Sequence, residues 1–278
     1  MISMIDSVIE KGQIYMTRIS NWKNKVDMNI EVGPYLLKVA QTKKEVLGCF
    51  ELRYDIFYKE LAEKTNKSKL DYDEYDAHCD HLIIVHQPTK KIVGTYRMNF
   101  SEGSSQFYTE SEFQIDEWVQ QRNHSFVELG RACIHAQHRR GAVLGLLWRG
   151  IAEYMQKMQA HALVGCSSLK VTDTKSAALI YKYFETQNFL HHQIFIPQPD
   201  FQMKDFLFWT MVYSAGLSAD QMAEAEKQIP SLLKSYIKAG AKICSYPALD
   251  RDFSCIDFMT ILEKEELDQK MVRKFNLN

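Results

Sequence analysis

The run Glu128-Leu129-Gly130-Arg131-Ala132-Cys133-Ile134-His135 is followed at once by His138-Arg139-Arg140-Gly141-Ala142 and an apolar, helix-forming stretch. It reads as a strand that ends in a Gly/Arg loop and opens a helix. The first peptide N–H groups of a helix lack an intrahelical partner and suit an anion. On the strand, a carboxylate and a guanidinium stand three residues apart. One can take a proton and the other can hold an anion, or the pair braces a sheet as buried ions. The residues alone leave both readings open. The separation is odd, so a regular strand sends Glu128 and Arg131 to opposite faces. A bulge at Gly130 would return them to one side.

Other segments follow the same two periods. Tyr35–Ala40, His81–His86, Lys91–Phe100, Ala162–Ser168, His192–Ile196, Ala241–Tyr246 and Phe253–Leu262 read as strands. Lys43–Lys64 reads as a helix with Leu47, Phe50, Tyr54, Phe57 and Leu61 on one stripe. Glu117–Arg122, Val143–Gln159, Thr174–Gln187 and Ile229–Ala239 are also helical, as is the charged C-terminus. Strands and helices mix, with several neighbouring strands antiparallel, so the expected class is α+β with a mixed α/β sheet. No repeat or Gly/Ser/Pro-rich linker interrupts the chain. The expected organisation is an N-terminal arm over residues 1–32 and one domain over 33–278. On the arm, Ile5, Val8, Ile9, Ile14, Tyr15 and Ile19 form one side of a short helix, either docked on the body or a weak interfacial anchor.

Charge excludes one class of partner. The formal charge is -1, so the basic face that grips nucleic acid is not expected. The six cysteines form no C-x-x-C pair and most sit in apolar segments, which reads as reduced, buried thiols. No signal peptide is expected from the polar, charged pattern of the first residues, and no apolar run is long enough for a membrane span. A cytoplasmic protein is expected, with peripheral contact at the inner membrane face as its membrane option.

Candidate chemistry gathers in four places. The acidic loop carries Asp71, Asp73, Glu74 and Asp76, with Asp80 just beyond. It is either a solvated loop or a place for an ammonium group or metal. Its spacing fits no EF-hand, and His78-Cys79-Asp80-His81 fits no zinc pattern, so no metal is expected. Arg53 is the one cation on the apolar stripe of the first helix, and Arg97 lies on a strand. If those strands neighbour each other, guanidiniums and carboxylates converge and must pair with one another or with a charged ligand. Trp148 and Trp209 are candidates for an acyl pocket, against the plainer reading of core packing.

Taken in order, five short motifs and a tail resemble a known family. They are Leu52-Arg53-Tyr54-x-x-Phe57-Tyr58, Asp73-Glu74-Tyr75-Asp76-Ala77-His78-Cys79-Asp80-His81-Leu82, Gly94-Thr95-Tyr96-Arg97, Glu128-Leu129-Gly130-Arg131 and Leu147-Trp148-Arg149-Gly150-Ile151, with the tail from Ile229 to Phe253. They are similar to the ornithine–acyl-carrier-protein N-acyltransferases and N-acyl amino acid synthases, often labelled hemolysin-like. More distantly they resemble acyl-homoserine-lactone synthases. The resemblance implies a GNAT-like fold with a C-terminal extension. It also implies transfer of a fatty or 3-hydroxy acyl group from an acyl-carrier-protein thioester to the α-amine of an amino acid, ornithine first, without a cofactor. By the same resemblance Glu128, Arg131 and Arg97 would be catalytic, and Arg53, Phe57, Asp71, Asp73, Asp76 and Asp80 would bind substrate. Arg139, Arg140, Gly141 and Ala142 would meet the carrier's pantetheine arm, because a loop with one glycine departs from the usual acetyl-CoA cradle. The alternatives are a synthase for another N-acyl amino acid, such as glycine, or a non-catalytic acyl- or carrier-binding protein.

Overall fold

The computed structural model describes residues 22–62, 64–139 and 141–267. The expected apolar side of the arm, residue Arg140 and the charged C-terminal helix lie outside them. Along the chain run β1 (Asn29–Val32), β2 (Tyr35–Val39), α1 (Lys43–Arg53), β3 (Asp80–His86), β4 (Lys91–Phe100), α2 (Tyr108–Glu112) and α3 (Asp116–Gln121). Then come β5 (Phe126–Ile134), α4 (Ala142–Met158), β6 (Ala162–Leu169), α5 (Thr174–Thr186), β7 (Leu190–Phe195), α6 (Phe206–Val212), α7 (Ala219–Gln228) and α8 (Ser231–Ala239). β8 (Lys242–Ser245), β9 (Ala248–Asp250) and β10 (Cys255–Glu263) complete the order. Two compact units result, Met1–Ser105 with Leu129–Gln159 and Gln106–Glu128 with Ala160–Asn278.

In the first unit β1, β2, β3 and β4 form antiparallel ladders, and the later part of β5 follows β4. Asn29–Val32, expected in the arm, pairs with β2 across a turn at Gly33. α4 covers this sheet. Its Gly150 is a requirement of packing, since a Cβ there would come within 2.7 Å of methyls of Leu37 and Leu82. α1 starts with a capping box: the Thr42 hydroxyl accepts from the Glu45 N–H, and the Glu45 carboxylate accepts from the Thr42 N–H at 3.2 Å.

The expected helix over 43–64 changes character partway. From Tyr54 to Leu61 it widens into π-helical turns, with the Ala62 N–H reaching back to the Phe57 carbonyl. Widening turns the apolar stripe, so Leu61 faces solvent while Ile56 is buried.

In the second unit the start of β5 runs parallel to β6 through Phe126↔Ala162, Val127↔Leu163 and Glu128↔Val164. β6 pairs antiparallel with β10 along its whole length, from Ala162↔Glu263 to Leu169↔Ile256. β10 also pairs with β8 and β9, and β8 runs parallel to β7. One core packs Leu169, Phe184, Ile243 and Phe258 under α5, α6 and α7. Another packs Phe107, Phe113, Phe126, Val164 and Met259 beneath α2. The mixed sheet with helices is the class expected from the periodicities. Among the described residues no helix is long and apolar enough to cross a membrane.

Candidate functional site

Arg53 ends the α-helical part of α1, buried on the apolar side where a lone cation needs partners. It finds them in the acidic segment. Its Nε donates to Asp71 at 2.6 Å, and its two terminal nitrogens donate to Asp76 at 2.7 and 3.1 Å. That segment is held in shape by its own carboxylates: Asp73 accepts from the Tyr75 N–H, and Asp76 accepts from the Asp73 N–H. From β4, Arg97 donates to both oxygens of Asp73 at 2.5 and 2.6 Å, and from β5 Arg131 donates to Asp73 at 2.9 Å. Three arginines and three aspartates thus interleave as a neutral network. Burial alone would keep Asp76 protonated, but Arg53 and Arg97 hold its carboxyl well below the usual carboxylate range. Asp73 is lowered in the same way by Arg97 and Arg131 against its own burial. His81 meets the Phe50 ring edge-on beside this network, and burial pushes it down to about 4, so it is neutral near pH 7.

These are six of the residues expected to converge, and the structure brings them together. It leaves others out. Asp80 accepts instead from the Lys25 N–H at 2.9 Å and the Tyr154 hydroxyl at 2.8 Å, with burial raising its pKa. Phe57 packs on Leu52, Ile56 and Cys133. The left-handed backbone that breaks the alternation of β5 falls on Arg131 itself (φ 50°) rather than on Gly130. A Cβ at Gly130 would meet the Arg97 guanidinium at 3.6 Å, an ordinary van der Waals contact, so packing does not require glycine there.

Glu128, 4% exposed, has a different task from Arg131. Its carboxylate accepts from the Tyr108 N–H at 3.0 Å, the Thr109 N–H at 2.7 Å and the Thr109 hydroxyl at 2.7 Å. It therefore satisfies the orphan donors that begin α2. The expected donor-binding loop is partly closed as well: Arg139 is paired with Glu60 through both terminal nitrogens and donates from Nε to the Ile134 carbonyl. Gly141 adopts a left-handed conformation (φ 87°) that opens α4 at Ala142. Of the two expected acyl-pocket tryptophans, Trp148 is buried on α4, and Trp209 is half-buried on α6 against the core beneath it, with Lys175 over its ring.

A second set of acids went unnoticed in the sequence. Asp250, Cys255 and Asp257 bring a carboxylate, a thiol and a carboxylate within 4.8 Å of one another, all buried, which by distance could gather a cation. Ser168 donates to Asp257 at 2.5 Å. Glu112, at the end of α2, is buried with the Tyr108 hydroxyl and the Cys166 thiol as its polar neighbours. Burial and the neighbouring Asp257 push it up to about 8. A signal existed in the one carboxylate of the apolar strand Phe253–Leu262. For Glu112 there was none, since a five-residue helix has no periodicity to read.

Residues 52–149 match the acetyltransferase (GNAT) domain. An L-ornithine N(alpha)-acyltransferase of Rhodobacter capsulatus is 26% identical over 248 residues, covering 85% of this chain and 92% of that one. Its namesake from Rhizobium meliloti is 28% identical over 239 residues, covering 81% and 78%. Among solved structures, the acyl-homoserine-lactone synthase LasI aligns with a TM-score of 0.47 at 14% identity, over 90% of this chain and 95% of that one. The chain thus carries a GNAT acetyltransferase domain over residues 52–149, is an acyltransferase, and is similar over about four-fifths of its length to these ornithine acyltransferases.

Proposed function

We propose that the protein acylates the α-amine of L-ornithine with a fatty acyl group carried on an acyl-carrier-protein thioester. The observation that carries this reading is that four relatives bear the one activity name, each matching more than 80% of the chain. In the reaction the neutral amine attacks the thioester carbonyl. The C–N bond forms, the C–S bond breaks, and the amine's proton ends on the carrier thiol. A free α-amine has a pKa of about 7.7–8.0, so its neutral form is accessible without a strong base. This suits a site in which Glu128 is engaged at the start of α2.

A carrier-protein donor is supported by the loop before α4. It offers one glycine, at Gly141, where a pantetheine arm brings one phosphate rather than a pyrophosphate. Product release at a bilayer is supported by α6, whose outer face exposes Leu207, Phe208, Met211 and Val212 beside Lys175 and Lys204. The test is to incubate the purified protein with acyl-carrier protein and single amino acids and to detect amides by mass spectrometry. N-acylornithine is expected. Amide with glycine but none with ornithine would overturn the acceptor, and amide from acyl-CoA alone would overturn the donor.

A further inference from the structure

The turn that follows the π-helical stretch has no part in the network of arginines and aspartates. From Lys64 to Leu70 the chain reads Lys-Thr-Asn-Lys-Ser-Lys-Leu, with three exposed lysines and no carboxylate. The segment keeps a definite shape. The Lys64 N–H returns to the Tyr58 carbonyl at 2.8 Å, and the Asn66 amide donates to the Leu70 carbonyl at 2.9 Å. The Ser68 hydroxyl donates to the Asn66 side chain at 3.1 Å, and Lys69 takes a left-handed conformation (φ 52°). Of the described carboxylates that flank it, Asp55 pairs with Lys59, Glu60 with Arg139 and Asp71 with Arg53. These acids leave the charges of Lys67 and Lys69 directed to solvent. At the base of the turn Leu61 is 45% exposed, turned out where the helix widens. π-helical turns are rare and often mark functional sites.

The same widened turns carry Glu60, whose carboxylate accepts from both terminal nitrogens of Arg139 on the loop that opens α4. The lysine turn thus begins just beyond a direct contact with the loop assigned above to the pantetheine arm. A carrier that brings a thioester to that loop must rest its own body beside it. We propose that the turn from Lys64 to Lys69, with Leu61 at its base, is the docking surface for the body of the acyl donor's carrier, a small acidic protein whose carboxylates meet the lysines while an apolar side chain covers Leu61. This rests on the carrier-protein donor read above. Charge complementarity selects this occupant, because opposite charge speeds encounter and suppresses wrong partners. An anionic bilayer fits less well: the turn offers one apolar side chain where an interfacial anchor needs an apolar face.

The experiment follows the anisotropy of fluorescently labelled holo acyl-carrier protein titrated with the purified enzyme, alongside the KM for the acylated carrier. Wild type should bind it, and more weakly as ionic strength rises. Lys67→Glu with Lys69→Glu should raise Kd and KM by about tenfold or more at low salt, with kcat held within about twofold. Lys67→Gln with Lys69→Gln removes the charge without reversing it and should fall between. Leu61→Ser should raise both constants by about fivefold. Lys43→Glu with Lys44→Glu makes the same change of net charge at the exposed start of α1 and should move neither by more than about twofold. Kd and KM unchanged in the Lys67 and Lys69 variants overturn the surface. An equal loss in the Lys43 and Lys44 variant also overturns it, since the effect is then one of net charge. So does a charge-reversed turn that keeps its carrier affinity but no longer sediments with phosphatidylglycerol vesicles, which assigns the turn to a bilayer. Should the charge-reversed variant melt early, the glutamine pair decides. A wild type that neither binds the carrier nor acylates ornithine from it overturns the donor reading instead, and the wild type alone tells the two failures apart.

Discussion

Three donors converge on the carboxylate of Glu128, and that fixes what its loss should do. Glu128→Gln keeps the shape but replaces charge-assisted bonds at a helix start with weaker ones. The expected cost is about 1–3 kcal/mol, read as a lower denaturant midpoint. Turnover per folded molecule should stay within about tenfold. A loss of roughly 10² or more at unchanged stability would instead make Glu128 a general base. Arg97 is the opposite case. Arg97→Ala leaves the buried Asp76 and the half-buried Asp73 without that cation, and breaking such a buried pair costs about 3–5 kcal/mol. Arg53 was legible as the one cation on an apolar stripe, and Asp71, Asp73 and Asp76 as carboxylates crowded into one short loop. Their partnerships were not, since pairing depends on which strands adjoin. The left-handed turn at Arg131 was also out of reach: bulk alone would have placed it on the glycine.

Elements with a long period were read closely. β4 has the limits its alternation implied, and α4 lies within a residue of its expected span. What the pattern missed were short pieces fixed by partners rather than period. β9 has only its ladder to β10, and α2 its cap on Glu128. Packing of α4 supplies a test at this scale. Gly150→Ala places a methyl 2.7 Å from Leu37 and Leu82, and overpacking of this kind should cost about 1–3 kcal/mol, visible as a lower melting temperature. α6 supplies another. Phe206 anchors it in the core, while Leu207 is 60% and Met211 73% exposed. The Lys175 ammonium over Trp209 and the exposed Lys204 complement anionic headgroups. The intact protein should sediment with vesicles containing phosphatidylglycerol. Leu207→Asp with Met211→Asp should abolish this without lowering the melting temperature. Equal sedimentation of that variant would remove α6 as the contact.

Across the whole molecule the two charged systems pull stability in different directions with pH. Asp73 and Asp76, in the first unit, have native pKa values below their unfolded ones. Their contribution is complete above about pH 4 and is lost as the pH falls through the native values. His81 is depressed to about 4 from 6.5, so the unfolded chain binds the extra proton between these values and stability rises with pH there. Glu112, in the second unit, is raised from 4.5 to about 8. Between those values the native state holds the extra proton, so stability falls as pH rises. Below pH 6.5 the His81 and Glu112 slopes oppose each other. Above about 6.5 the histidine becomes neutral in both states and Glu112 sets the slope. Its slope there approaches about 1.4 kcal/mol per pH unit. Melting temperatures across pH 6.5–8 should therefore decline for the wild type and stay level for Glu112→Gln. A decline that persists unchanged in Glu112→Gln would mean that another group, and not this carboxylate, holds the proton.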